Sequence, residues 1–275
     1  LNNSLIKDNF CPCNSGKLYE NCCKENSVQY EYLGKNYEGR DIIFNNTKNM
    51  NIYDDITDFA MNKIFSLEGQ AVLFVSKALE LLGTIYKKVD EGIEQFSAYA
   101  PCKKGCSTCC SLYLDCTAIE AENIRRYVIE NKTEEEIEKI KNKLIYMKSS
   151  LTTTPRPYEL DEKELDDLYL AYVSRHMPCM FLNDEGACSI YEVRPLSCRK
   201  FIVFSSADKC KNNASEIIKP NVAPANISSL AIDYLSMYTG RYKNLIYLQK
   251  GEKKPIKRPL IEWFSEDFKD IIRDI

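Results

Sequence analysis

Apolar residues recur every three or four positions through Tyr53–Ala98, a stretch without proline, and this is the pattern of an amphipathic helix. One long helix or two consecutive ones fit it. Thr117 with Glu120, and Thr133 with Glu136, place a hydroxyl three residues ahead of a carboxylate, so each pair reads as a capping box. Helices are predicted over Ala118–Asn131 and Glu134–Ser149. TTTPRP (Thr152–Pro157) interrupts the pattern, Leu160–Arg175 resumes it, and a further helix is predicted over Ala225–Tyr238. Short extended pieces are expected where β-branched and aromatic residues gather, at Cys179–Leu182, Cys188–Tyr191 and Phe201–Phe204. Lys250–Pro259 reads as a solvated basic linker, followed by an amphipathic segment carrying Trp263. The predicted fold class is mainly α.

Of the 275 residues 44% are apolar, enough for a folded core, and no internal repeat is present. The apolar run Ala71–Leu82 is broken by Lys77 and Glu80 and is too short for a bilayer, so no membrane contact is expected. Net charge is −3 with acids and bases interleaved, which gives no positive field for a phosphate backbone. Nucleic acid is not an expected partner. LNNSLIKDNFCPC carries neither a basic leader with an apolar stretch nor a small-residue cleavage site, and the expectation is a cytoplasmic protein.

Cysteine changes the picture: there are 13, an odd number, beside one histidine, His176. In a reducing compartment such clustering argues for metal thiolates over disulfides, while histidine-based catalysis is nearly excluded. His176, in RHMPCMF, reads as a surface or packing residue. The thiols form three groups: Cys11, Cys13, Cys22 and Cys23; Cys102, Cys106, Cys109, Cys110 and Cys116; and Cys179, Cys188, Cys198 and Cys210.

The first group, CPCNSGKLYENCC, has the spacing C-x-C-x8-C-C with Asn14-Ser15-Gly16 as the turn. Two close pairs can supply the corners of one tetrahedron, the usual setting of zinc. Cys11, Pro12, Cys13, Ser15, Gly16, Lys17, Tyr19 and Cys23 resemble the SEC-C motif, found at the end of the SecA-type preprotein translocase and appended to many bacterial proteins. There the penultimate ligand is often histidine, where this chain has Cys22. The resemblance implies a zinc knob over residues 1–30 that docks a protein or peptide; a plain zinc staple is the alternative.

If CKKGCSTCC (Cys102–Cys110) is helical, its four thiols lie within an arc of roughly 100° and project from one face. Further ligands must then come from elsewhere, and Cys179, Cys188 and Cys198 are candidates, with NDEG (Asn183–Gly186) turning the chain between the first two. The two segments together resemble the CxxCxxCC, or YkgJ-type, cysteine-cluster family, carried by Cys102, Cys106, Cys109, Cys110, Cys179, Cys188, Tyr191, Arg194, Pro195, Cys198 and Arg199. That resemblance implies a zinc- or iron-chelating domain. Flagellin lysine-N-methylases carry a similar cluster, which brings an iron–sulfur centre into view, but no glycine-rich loop for S-adenosylmethionine follows a strand here. Cys102-x3-Cys106-x2-Cys109 also spells the radical S-adenosylmethionine signature, against which stand the helical remainder of the chain and the adjacent Cys110.

Counting Cys210 there are eight candidate ligands in the second and third groups, enough for two four-sulfur sites or one polynuclear site, with Cys116 spare. Arg194 and Arg199 are expected to neutralise excess thiolate charge, and Tyr191 to donate a hydrogen bond. The expected architecture is an irregular helical domain over 50–245, with its motif core at 102–204, organised around a cysteine-rich metal centre. The zinc knob precedes it, and residues 246–275 form the linker and a terminal helix. The function expected is a metalloprotein binding zinc, iron or both. An iron-dependent peptide- or protein-modifying enzyme and a non-catalytic metal-handling protein both remain open readings.

Overall fold

The computed structural model describes residues 10–68, 72–102, 105–150, 162–175, 177–212, 217–240, 246–249 and 252–274. His176 and the TTTPRP segment lie outside the described residues. Among those described, helices dominate and sheets are small. They are α1 (Asn46–Lys63), α2 (Val75–Ser97), α3 (Ala118–Asn131), α4 (Glu134–Ser150), α5 (Glu162–Ser174), α6 (Leu196–Arg199), α7 (Ala207–Asn212), α8 (Ala223–Tyr238) and α9 (Leu260–Trp263). The fold is mainly α. Six strands pair antiparallel by twos: β1 (Tyr30–Lys35) with β2 (Asp41–Asn45), β3 (Asp115–Thr117) with β6 (Lys257–Pro259), and β4 (Ile246–Gln249) with β5 (Glu252–Pro255). No described helix is long and apolar enough to cross a membrane.

The chain divides into two compact units, the first of residues 1–59, 85–102 and 200–228 and the second of residues 60–84, 103–199 and 229–275. In the first unit Phe96 of α2 is fully buried between Phe44 of β2 and Phe204, with ring centroids 5.2 and 5.9 Å apart. Asn36, itself buried, closes the β1–β2 turn by accepting from the amides of Glu38 and Arg40, and donates to Tyr99 O at 3.0 Å. Gly92 lets α2 approach Pro224 closely, since a Cβ there would stand 3.1 Å from Pro224 Cγ.

In the second unit both capping boxes form. Thr117 N donates to Glu120 Oε2 at 2.9 Å, and Thr133 N to Glu136 Oε2 at 3.0 Å, so α3 and α4 begin where the residue types dictate. The buried faces of α3 and α4, including Ile119, Ile124, Ile140 and Leu144, share this unit's core with Phe181, Leu260, Phe264 and Phe268. Glu122 is fully buried, accepts from Arg125 and Arg126, and takes the Ile271 amide at 3.0 Å, which ties the terminal segment to α3.

Four expectations need correcting. The described part of Cys102–Cys110 is not an α-helix: Gly105 takes φ +88°, which ends helical propagation, and among the described residues only Thr108–Ser111 winds into a 3-10 turn. The pieces expected to be extended form no strand; Leu182 and Cys188 meet in one isolated antiparallel bridge, while Phe204 exchanges backbone bonds with Ile218 and Tyr37. The basic linker contains β5 and β6, because Lys257 pairs with Asp233 at 2.9 Å and its backbone has a partner strand in β3. The terminal helix is a single turn, α9, with Trp263 donating to Cys116 O at 3.0 Å.

Candidate metal centres

The knob is built from tight turns. Phe10 and Leu18 bridge across it, Cys11 N donates to Lys17 O at 2.7 Å, and Asn14 N to Cys11 O at 3.0 Å. Asn14 (φ 62°) and Gly16 (φ 75°) occupy left-handed conformations that asparagine and glycine tolerate best. A 3-10 turn over Tyr19–Asn21 then delivers the second cysteine pair, with Cys22 N donating to Tyr19 O.

The sulfurs of Cys11, Cys13, Cys22 and Cys23 all lie within 4.8 Å of one another. Sulfurs around a tetrahedral zinc, with Zn–S near 2.3 Å, stand ~3.8 Å apart. Cys13 and Cys22 are separated by 3.6 Å, so the set fits the ion with little adjustment. Among the described residues no other group of ligating side chains is drawn together this closely. The knob fits a zinc-binding element.

Its electrostatics are asymmetric. Hydrogen bonds from Ser15, then Cys11, pull the exposed Cys13 thiol down to about 6, while loss of solvent pushes Cys23 up to about 12. One sulfur is therefore a ready thiolate and another needs a cation to ionise, which is the work a bound metal performs. Cys23 Sγ lies 3.7 Å from the Tyr30 hydroxyl on β1, and Ser15 Oγ lies 3.2 Å from Cys22 Sγ.

In the second unit the two distant cysteine segments meet. Cys179 N donates to Cys110 O at 2.8 Å. Asn183 and Gly186 close the NDEG turn, with Asn183 Oδ1 accepting from Ala187 N at 2.7 Å. A Cβ on Gly186 would stand 3.8 Å from Gly105 O, so the turn lies against the Gly105–Cys110 loop. Cys198 follows on α6.

The thiols here feel one another. Burial pushes Cys198 well above the ordinary thiol range, and Cys179, Cys188 and Cys109 push it further. Cys179 rises to about 12 through burial, with Cys188 and Cys109 adding to it. Its hydrogen bond with Cys110, then burial, raises Cys109, and burial raises Cys188; Arg194 opposes both shifts. Cys109, Cys110, Cys179, Cys188 and Cys198 thus share one electrostatic neighbourhood, with the half-buried Cys106 in the same loop. Thiols held neutral chiefly by burial, with mutual repulsion added, call for more positive charge than Arg194 supplies, and a thiophilic metal ion is suited to provide it.

Arg194 stacks 4.0 Å over the Tyr191 ring, and its buried Nε meets no hydrogen-bond partner among the described residues. Arg199 does different work from that expected: it is buried, its Nε donates to Arg194 O at 2.9 Å, and its guanidinium also meets Glu192 O. These contacts shape the loop ahead of Cys198. Cys116 is 2% exposed inside β3, and burial raises its thiol far above the usual range. Cys102 and Cys210 fall in the first unit. All thirteen cysteines are among the described residues and none is in a disulfide.

The four-thiol cluster of the knob is the arrangement of a metal-binding protein. Residues 101–220 match the sequence model of the CxxCxxCC family, described as "Putative zinc- or iron-chelating domain". No curated protein and no solved structure matches the chain.

Proposed function

We propose that the protein holds two separate thiolate metal sites: zinc in the knob, and zinc or iron in a second centre ligated by thiols drawn from Cys106, Cys109, Cys110, Cys179, Cys188 and Cys198. The observation that carries the second centre is the backbone bond from Cys179 N to Cys110 O at 2.8 Å, which joins the two cysteine segments across the gap in sequence between them. Six thiols exceed the four of a mononuclear zinc site, which favours a polynuclear centre of the iron–sulfur kind. An odd, thiol-rich cysteine complement supports a reducing, cytoplasmic setting.

The knob supports a second role. Phe10 and Leu18, 73% and 46% exposed, give it an apolar lip, which favours docking of a protein or peptide. A modifying enzyme could receive its substrate this way. Anaerobic purification followed by metal analysis and an absorption spectrum tests the metal reading. Zinc alone gives a colourless protein, and iron gives visible sulfur-to-iron bands. A protein that takes up neither metal, with all its thiols titratable under native conditions, contradicts the proposal.

A further inference from the structure

The capping boxes of α3 and α4 are chemically the same device, yet their carboxylates reach different third partners: Glu136 pairs with the neighbouring Lys132 at 3.5 Å, whereas Glu120 bonds a distant stretch of backbone. In the exposed box the Glu136 carboxylate serves Thr133 N, and Thr133 Oγ1 serves Glu136 N at 3.2 Å. In the other box Glu120 is 4% exposed; its Oε2 accepts from Thr117 N and from Thr117 Oγ1 at 3.0 Å, and its Oε1 accepts from Leu196 N at 2.8 Å. That last bond spans 76 residues of chain. Leu196 is the first residue of α6, the four-residue helix that carries Cys198.

A four-residue helix has no stability of its own, since nucleation alone costs more than its few hydrogen bonds return. Its position is set by whatever grips it. Here Glu120 satisfies the orphan Leu196 amide and lays negative charge at the helix start, Ser197 Oγ donates to Asp115 O at 2.8 Å, and Arg199 Nε holds Arg194 O. Two of these grips, on the first two residues of α6, come from the single stretch Asp115–Glu120, at the junction of β3 and α3.

We propose that Glu120 is a positioning residue of the second metal centre, which fixes Cys198 through α6; this rests on the reading of Cys198 as a ligand. Glutamine at this position keeps the shape but supplies only one oxygen. It can accept from Leu196 or from Thr117, and its amide then points donors at the other partner. A shift of α6 displaces the Cys198 sulfur, whereas the knob is unaffected.

The test compares Glu120→Gln with Glu136→Gln in the full chain loaded with zinc, and then with Co2+ as a spectroscopic substitute. Glu120→Gln is expected to lose second-centre metal to a chelator on the order of tenfold faster, the usual loss when an outer-shell partner of a ligand is removed, and to shift the Co2+ thiolate bands. Glu136→Gln changes neither, although it disables the same kind of cap. If Glu120→Gln does not fold, Ser197→Ala decides, with a smaller change in the same direction. Wild-type release rates and unshifted bands in the folded variants overturn the positioning role alone. A wild-type second centre that takes up no metal overturns both this role and the ligand assignment on which it rests.

Discussion

Replacing Tyr30 by phenylalanine removes one hydroxyl from the edge of the knob. Tyr30 begins β1, and its hydroxyl is 3.7 Å from Cys23 Sγ. Loss of solvent, then the hydrogen bond to Cys23, raises the Tyr30 hydroxyl above its ordinary range, so it is protonated at neutral pH. Once Cys23 is a metal-bound thiolate it has no proton to give, and the tyrosine must be the donor. Hydrogen bonds to charged groups contribute about 1.5–3 kcal/mol, but a long bond to sulfur at a half-exposed site falls below that, near ~1 kcal/mol. With 1.4 kcal/mol per factor of ten, Tyr30→Phe weakens zinc binding at the knob about fivefold. The assay is zinc transfer from the full chain to a chromophoric chelator, with the knob's phase identified by its disappearance in Cys11→Ser. Tyr19→Phe is the control: its hydroxyl donates to Val28 O at 2.8 Å, and it makes the same edge-to-face contact, 6.1 Å between Tyr19 and Tyr30 centroids. Zinc affinity in Tyr30→Phe that equals the wild type, or that falls no further than in Tyr19→Phe, refutes the reasoning.

Cys188→Ala should lower both the metal content of the second centre and its melting temperature, because binding energy gathered from distant segments becomes folding energy; Cys116→Ala should leave metal content unchanged, as elemental analysis of both variants will show. Glu122→Gln should destabilise the chain by ~3 kcal/mol, the scale of breaking a buried ion pair on one side, measured by denaturant unfolding. Burial alone would raise the Glu122 carboxyl, but the bonds from Arg125, Arg126 and Ile271 N outweigh it and hold the group below its ordinary 4.5. Its stabilisation is therefore complete above 4.5 and drains away as pH falls through the lower folded value, so wild type should lose stability more steeply in acid than Glu122→Gln. Parallel acid profiles would contradict this.

What the sequence disclosed was chiefly local. The cap pairs Thr117–Glu120 and Thr133–Glu136 carry their partners three residues away, and α3 runs over Ala118–Asn131 as the pattern predicts. The knob's four thiols lie within thirteen residues, so spacing alone marks them as candidate ligands, and Asn183–Gly186 turns where its residue types demand. The misreadings share one physical cause. Thiols at offsets 0, 4, 7 and 8 suit a helix, but the left-handed Gly105 ends it, and a φ value is not written in periodicity. The hairpin β1–β2 escaped notice because its first strand is largely half-exposed and only Ile42 and Phe44 alternate inward. β6 and the Glu120–Leu196 bond depend on partners more than seventy residues away, where no local pattern reaches.

Metal stoichiometry in three chains tests the account most directly: wild type, the double variant Cys11→Ser/Cys23→Ser, and the double variant Cys179→Ser/Cys188→Ser, each purified anaerobically. The account predicts that the first double variant loses one zinc per chain and keeps the metal of the second centre with its spectrum unchanged. The second double variant should keep the knob's zinc and lose the rest. Loss of all metal in either double variant, or a wild-type chain holding only the single zinc of the knob, would contradict the claim of two independent thiolate centres.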